Sequence, residues 1–221
     1  MMYEISRSIA KVIAKFCFRV RIVGREHIPQ AGPCLLVANH ASFLDPFVIC
    51  TSVPRTIHYI TYAFFYYHPA FHWFCKRVHC IPVKKEGNDI SALKQTLRLL
   101  KQGEIVGIFP EGARSENGKI GRTEPGTALI ALKSNVPIVP AGIQGAYEAF
   151  PKGAKFPKPG RITVSFGRPF FLTEYIRNAE KMSTELQQEA MQVIMGKIAE
   201  LCGQQDAFSS EQPFNVLKEI S

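Results

Sequence analysis

The 221-residue chain lacks several features that would assign it to a common class of protein. Its six cysteines include no C-x-x-C pair, so nothing indicates a zinc knuckle or a redox disulfide, and a reduced compartment fits best. It has no G-x-S-x-G motif of the serine hydrolases, no internal repeat and no low-complexity run. What remains is a single domain of ordinary size.

Negative charge is also scarce, because 18 acidic residues face 27 basic ones and leave a net charge of +9. Such a surplus favours an anionic partner, although composition does not separate nucleic acid, anionic lipid and a phosphorylated small molecule. The basic residues are spread through the chain, and no recognisable RNA- or DNA-binding motif accompanies them. We therefore expect no nucleic-acid partner.

Neither a signal peptide nor a long aliphatic run is apparent in the sequence. Arg7, Lys11 and Lys15 interrupt the apolar N-terminal residues, so we expect the chain to stay in the cytoplasm. The best candidate for a membrane span is Thr56–Cys75, which contains no Asp, Glu, Lys or Arg. It contains Pro69 and several histidines and is rich in Tyr and Phe, so we predict a buried or membrane-dipping aromatic segment instead.

Residues 1–18 predict a basic amphipathic helix. One interpretation is a surface helix whose apolar stripe caps the domain core, and the other is a helix that lies on an anionic bilayer. The basic polar face favours the bilayer. We predict a membrane-contacting helix at the cytoplasmic face, in a peripheral or monotopic protein. At about 100° per residue the apolar stripe contains Ile5, Ile9, Val12, Ile13 and Phe16.

The rest of the chain predicts an α/β fold with a mixed, largely parallel central sheet flanked by helices. The clearest helix is 89–101, with Asp89 or Asn88 as its N-cap, and it joins strands at 80–83 and 104–109 in a right-handed crossover. We assign residues 19–203 to one domain and 204–221 to a loosely held polar tail. Further strands are predicted at 20–23, 34–38, 136–143 and 161–166, and further helices at 126–134 and 184–201.

The first candidate site follows the apolar strand 34–38, where the chain continues as Asn39-His40-Ala41-Ser42-Phe43-Leu44-Asp45-Pro46. A turn brings His40 and Asp45 together, and a carboxylate on one imidazole nitrogen leaves the other nitrogen free to act as a general base. Alternatively, Asp45 is a helix N-cap before Pro46 and the histidine is structural. These residues alone leave both interpretations open. Ser42 is typical of a turn.

The second candidate site is the loop after the strand 104–109. Arg114 offers a planar fork that suits a phosphate, and Gly112 lets the backbone approach a ligand closely. Lys119 and Arg122 add positive charge just downstream. The loop therefore suits a phosphomonoester, and the alternative is a solvent loop with an internal pair between Glu111 and Arg114.

These motifs resemble those of the lysophospholipid acyltransferase family. The resemblance rests on N-H-x-x-x-x-D at 39–45, F-P-E-G-x-R-S about seventy residues later at 109–115, and the V-P-I-V-P run at 136–140. Together, in this order and at this separation, they are specific, and the likeness extends over about 34–142.

The resemblance implies direct transfer of an acyl group from acyl-CoA or acyl carrier protein to 1-acyl-glycerol-3-phosphate, or to another lysolipid. No cofactor or metal is implied. His40 is the implied base and Asp45 its partner. The family motif that usually carries an arginine falls here at Lys84 and Lys85. The implied contacts to the acceptor are made by Glu111, Gly112, Arg114, Ser115, Lys84 and Lys85.

Two rival interpretations come from other functional classes. One is a non-catalytic basic domain that binds lipid, and the other is a zinc site, since His and Cys at helical spacing can ligate zinc. The segment is strongly aromatic, so the wall of an acyl tunnel or plain core explains it more simply. The candidate zinc ligands are His68, His72, Cys75, His79 and Cys80.

Overall fold

A computed structural model of the protein describes residues 2–84, 89–176 and 183–205. Lys85 and the tail 206–221 lie outside these ranges. The described helices are α1 (Met2–Cys17), α2 (Asp45–Ser52), α3 (Ala63–Tyr67), α4 (Pro69–Arg77), α5 (Ile90–Lys101), α6 (Gly126–Ser134), α7 (Ala146–Ala149) and α8 (Thr184–Cys202). The described strands are β1 (Arg21–Val23), β2 (Cys34–Ala38), β3 (Ile57–Tyr62), β4 (Ile81–Val83), β5 (Ile105–Ile108), β6 (Ile138–Gln144) and β7 (Thr163–Phe166).

The strands form one seven-stranded sheet in the order β1-β7-β6-β2-β5-β3-β4. Each neighbouring pair is parallel except β6 and β7, which run antiparallel. The prediction of a mixed, largely parallel sheet with flanking helices is confirmed. The helix predicted to begin after Asp89 is also confirmed, because the Asp89 carboxylate accepts a hydrogen bond from Ala92 N at 3.0 Å.

The sheet separates two apolar cores. Helices α5, α6 and α8 cover one face, and α2 and α7 cover the other. The central strand β2 is buried along its whole length, which explains why Cys34–Ala38 is a continuous apolar run rather than an alternating one. The two cores hold β2 rigidly, and the chain leaves β2 at the edge where the first candidate site begins.

Of the two alternatives predicted for Thr56–Cys75, the buried segment is wrong, because only Ile57 and Cys75 in it are buried, and the membrane-dipping segment stays a prediction. The chain here forms β3, an unpredicted strand between β5 and β4, and then α3 and α4. The two short helices pack beside the end of the sheet, and of their residues only Cys75 is buried. The aromatic side chains that remain exposed are Tyr62, Phe64, Phe65, Tyr67, Phe71 and Trp73.

Helix α1 packs on α2 through the face opposite its apolar stripe. Tyr3, Ala10 and Ala14 are its buried residues, and the Tyr3 hydroxyl accepts a hydrogen bond from Ile57 N at 3.0 Å. The stripe points outward, and Phe16 at its end is 73% exposed. The interpretation in which this stripe caps the core is therefore wrong, because small residues of the other face make that contact.

Within residues 2–84, 89–176 and 183–205, no helix combines the length and the apolar character that crossing a bilayer requires.

Gly107 in β5 leaves room for the Tyr59 ring, because a Cβ atom there would lie 2.7 Å from two ring carbons. We expect Gly107→Ala to lower the free energy of unfolding by about 1–3 kcal/mol, as overpacking in a tight core does. Urea denaturation measures this change. Gly126→Ala is the control, since a Cβ atom at Gly126 meets nothing within 4 Å. Equal stability of both variants would contradict the packing argument.

Candidate functional site

The two loops that the sequence singles out meet because β2 and β5 are adjacent parallel strands. Val37 pairs with Ile108, so the chain leaves both strands at the same edge of the sheet. The loops are also hydrogen-bonded to each other, since Ser115 N donates to the His40 carbonyl oxygen at 2.7 Å. The structure thus brings the His40 loop and the Arg114 loop into one site.

His40 and Asp45 form the expected pair. His40 Nδ1 lies 2.8 Å from Asp45 Oδ2, and the Asp45 side chain is fully buried. The same Oδ2 accepts hydrogen bonds from the backbone N–H groups of Ala41 and Ser42 at 2.8 and 2.7 Å. The carboxylate fixes Nδ1 as the protonated nitrogen, so Nε2 is the nitrogen left for an acceptor hydroxyl.

The assignment of Asp45 as a helix N-cap is wrong. Helix α2 begins at Asp45 itself, and Leu44 holds the N-cap position without a side-chain bond. The Asp45 carboxylate turns back into the preceding loop. There it accepts hydrogen bonds from the N–H groups of Ala41 and Ser42 and binds the His40 ring. Asp45 therefore organises the His40 loop rather than the start of the helix.

Two polar side chains to which the sequence assigned no catalytic or binding role, Asn39 and Ser42, hold this loop in place. Buried Asn39 exchanges two hydrogen bonds with the backbone of Ile143 in β6, at 2.8 and 3.0 Å. The Ser42 hydroxyl donates to Phe150 O at 2.8 Å and accepts from Leu44 N at 3.2 Å, which confirms its turn role. A polar residue directly after a buried apolar strand was the available signal for Asn39.

The His40 ring lies on a column of aromatic rings that the sequence analysis also missed. It stacks on Phe109, with ring centroids 4.2 Å apart, and Phe109 lies nearly parallel to Tyr59 at 5.8 Å. The Tyr59 hydroxyl donates to Pro46 O at 3.2 Å. The aromatic column restricts the plane of the imidazole ring, while Asp45 restricts its rotation.

Glu111 turns toward His40 rather than toward Arg114. Its Oε1 accepts a hydrogen bond from His40 N at 2.7 Å, and the ion pairs of the described residues include none between Glu111 and Arg114. Burial raises the pKa of Glu111 to about 8, although hydrogen bonds from the N–H groups of His40 and Gly121 oppose the shift. The carboxyl group is thus largely uncharged near neutral pH.

The rest of the second loop presents its positive charge to the site. The Arg114 guanidinium lies 5.7 Å above the Phe43 ring and is half-buried. Gly112 has a φ of +65°, and a Cβ atom there would lie 2.6 Å from Glu124 Cγ, so a side chain at this position would strain the turn. The Ser115 hydroxyl donates to Lys119 O at 2.7 Å.

A cavity of about 1700 Å³ opens at this site, and His40 and Arg114 line it. Arg114, Lys119 and Arg122 of the second loop form what we call the cationic part of its lining, and Lys84 and Lys152 line the cavity as well, together with the acidic residues Glu116 and Glu124. Lys84 is exposed, and its backbone N donates to the Asp89 carboxylate at 3.0 Å. What we call the apolar part of the lining consists of Phe43, Phe47, Tyr59, Ile60, Phe65, Phe71, Phe74, Val78, Val83, Leu93, Leu129 and Ile130.

The rival zinc interpretation finds no support in this geometry. In the described part of the chain, no group of three or more His, Cys, Asp or Glu side chains is placed to hold a metal ion. The Nδ1 atom of His72 is instead 3.0 Å from Tyr66 O. Burial also raises the pKa of the Cys80 thiol to about 12, which disfavours the thiolate that a nucleophile or metal ligand needs.

Comparisons with known proteins all find acyltransferases among the similar proteins. The family model described as Acyltransferase matches residues 19–144. A 1-acyl-sn-glycerol-3-phosphate acyltransferase of Bacillus subtilis is 29% identical over 86% of this chain and 93% of its own length. A chloroplastic 1-acyl-sn-glycerol-3-phosphate acyltransferase of Brassica napus is 30% identical over 70% of this chain and 46% of its own.

A solved structure is similar as well. The 1-acyl-sn-glycerophosphate acyltransferase PlsC from Thermotoga maritima superposes with a TM-score of 0.72 and 26% sequence identity. The superposition covers 90% of this chain and 79% of that one.

The raised pKa of Glu111 makes stability depend on pH. The unfolded carboxyl group ionises near its ordinary value of 4.5 and the folded one near 8, so stability falls as pH rises between these values. Glutamine does not titrate. We expect the unfolding free energy of Glu111→Gln, relative to the wild type, to rise by at least about 1 kcal/mol from about pH 5 to about pH 8.

Urea denaturation at the two pH values measures this difference. The control is Glu116→Gln in the same loop, because Lys152 lowers the pKa of exposed Glu116 and no such rise follows. A pH-independent difference for Glu111→Gln would contradict the assignment of a neutral buried carboxyl group.

Proposed function

The chain belongs to the acyltransferase family, and within that family we propose that it converts 1-acyl-glycerol-3-phosphate to phosphatidic acid. The acyl donor is acyl-CoA or acyl carrier protein. The observation that carries the proposal is the pair of His40 and buried Asp45, 2.8 Å apart, in a cavity that has both a cationic and an apolar part. The first part suits a phosphate and the second a fatty acyl chain.

The reaction follows from the roles of these groups. Asp45 holds the proton on His40 Nδ1, and Nε2 takes the proton of the acceptor hydroxyl. The hydroxyl oxygen then attacks the thioester carbonyl carbon, whose π electrons move onto oxygen. When the carbonyl re-forms, the carbon–sulfur bond breaks, and the leaving thiolate takes the proton from the His40 imidazolium. No acyl-enzyme is needed.

The acceptor phosphate binds, in this proposal, at the cationic part of the cavity. Arg114 supplies a planar fork for two phosphate oxygens, and its half-buried position limits screening by water. Lys119 and Arg122 line the same part of the cavity and add charge. Lys84 at the rim is a point-charge contact, and the contact of Lys85 stays a prediction.

We further propose that the protein works on a membrane surface at its cytoplasmic face. Both substrates of the proposed reaction carry a fatty acyl chain. The apolar stripe of α1 is exposed over its whole length, and exposed aromatic side chains of α3 and α4 lie beside the apolar part of the cavity. A bilayer that covers these surfaces lets an acyl chain enter the cavity without crossing water.

An assay of the purified protein tests the proposed reaction. With 1-acyl-glycerol-3-phosphate and either acyl-CoA or acyl carrier protein as donor, we expect phosphatidic acid by mass spectrometry. His40→Ala should lower kcat by at least about 10²–10⁴-fold, the usual effect of removing a general base. Arg114→Ala should raise the KM for the acceptor by about 10- to 100-fold, because a hydrogen bond to a charged group is lost.

The control for both variants is Arg98→Ala, since Arg98 is an exposed residue of α5 that does not line the cavity. It should keep wild-type kinetics, and all variants should unfold at the same urea concentration. A folded His40→Ala protein with near-normal turnover would exclude the base. If another lysolipid gives product and 1-acyl-glycerol-3-phosphate gives none, the proposed acceptor is wrong. If neither donor gives product, the proposed reaction is wrong.

Flotation with vesicles tests the membrane surface. We expect Phe16→Ser to weaken binding to phosphatidylglycerol vesicles at least about tenfold, because burial of a Phe side chain contributes ~1.5–3 kcal/mol. The matched control is Phe171→Ser, an exposed phenylalanine outside α1, α3 and α4. Activity of Phe16→Ser on detergent-dispersed substrate should be retained. Equal vesicle binding by both variants would exclude α1 as the contact.

A further inference from the structure

Both peptide groups that flank the Cα atom of His40 are held by the second loop. The N–H of His40 donates to Glu111 Oε1 at 2.7 Å, and its carbonyl oxygen accepts from Ser115 N at 2.7 Å. These contacts cross about seventy residues of sequence and join the loops that follow β2 and β5. The backbone of the base is thus fixed by a side chain on one side and a main-chain group on the other.

The conformation of the second loop determines where the Glu111 carboxyl group points. Gly112 N donates to Phe109 O at 3.0 Å and closes a tight turn, and Gly112 occupies the left-handed region with Glu124 against its Cα. This turn directs Glu111 back toward the sheet edge, where its carboxyl group meets the His40 backbone. Glu111 therefore joins the two loops of the site.

The charge state of Glu111 is a poor match to a role as a ligand of the acceptor. Its pKa of about 8 makes the group largely uncharged near neutral pH, so it provides no charge-assisted bond to the glycerol moiety. A neutral carboxyl group still accepts a hydrogen bond from an N–H group through its carbonyl oxygen. The bond to His40 thus survives protonation.

We infer that Glu111 is a positioning residue that holds the backbone of His40, rather than a residue that binds the acceptor. The inference rests on the proposed function, in which His40 is the base. Three independent contacts then define the imidazole: Asp45 at Nδ1, the Phe109 ring below its plane, and Glu111 at the backbone. A base that moves by about 1 Å loses roughly 10²-fold in rate.

Two substitutions separate positioning from acceptor binding. Glu111→Leu keeps the volume but removes the hydrogen-bond acceptor, so we expect kcat to fall roughly 10²-fold while the KM for the acceptor changes less than about threefold. Glu111→Gln keeps a carbonyl oxygen for His40 N and should recover most of the lost kcat. The matched control is Glu189→Leu, in which an exposed glutamate of α8 that does not line the cavity is replaced.

Amide hydrogen exchange at His40 supplies a readout that needs no activity. The His40 amide should exchange at least about tenfold faster in Glu111→Leu than in the wild type, and close to the wild-type rate in Glu111→Gln. This result stands even if the wild type makes no phosphatidic acid, an outcome that would reject the proposed function alone. If Glu111→Leu does not fold, the test uses Glu111→Gln alone. The inference then requires an acceptor KM and an exchange rate of the His40 amide close to the wild-type values.

Two outcomes would overturn the inference. One is a Glu111→Gln protein with the raised acceptor KM expected of Arg114→Ala. The other is unchanged exchange of the His40 amide in folded Glu111→Leu.

Discussion

The parallel pairing of β2 with β5 is the constraint on which the site depends. Strands that are parallel and adjacent release their loops at one edge, so two motifs far apart in sequence become neighbours without any long-range recognition of their own. The two cores fix the strands from both faces of the sheet. The rigid sheet therefore determines where each loop begins. A few polar contacts then fix the conformation of the loop.

Those contacts are mostly between side chains and backbone. Asn39 binds β6, Asp45 binds the N–H groups that follow His40, and Glu111 binds His40 itself. Side chains that satisfy buried N–H groups restrict a loop strongly, because an unsatisfied group inside the protein is costly. His40 and Asp45 are thus embedded in a network that gives the loop little freedom, and the hydrogen bonds of the described residues include none to His40 Nε2.

The sequence predicted those features that depend on local pattern. The bounds of β2 and α6 agree with the prediction, since a continuous apolar run and a clear helix signal identify them. Strand β3 was missed because aromatic residues without charge give no distinct period. The sequence could not predict which groups the Asp45 and Glu111 side chains bind. Each carboxyl group had several possible partners, and the fold determines which N–H groups lie within hydrogen-bonding distance of it.

The two faces of α1 differ in their contacts. Its inner face meets the domain through small residues, Ala10 and Ala14, and the buried ring of Tyr3, whereas its outer apolar residues are exposed in the described part of the protein. The outer residues therefore set the surface chemistry of this side of the protein without contributing to its packed core. A substitution among them changes what that surface can contact, while the fold behind it keeps the contacts on which its stability depends.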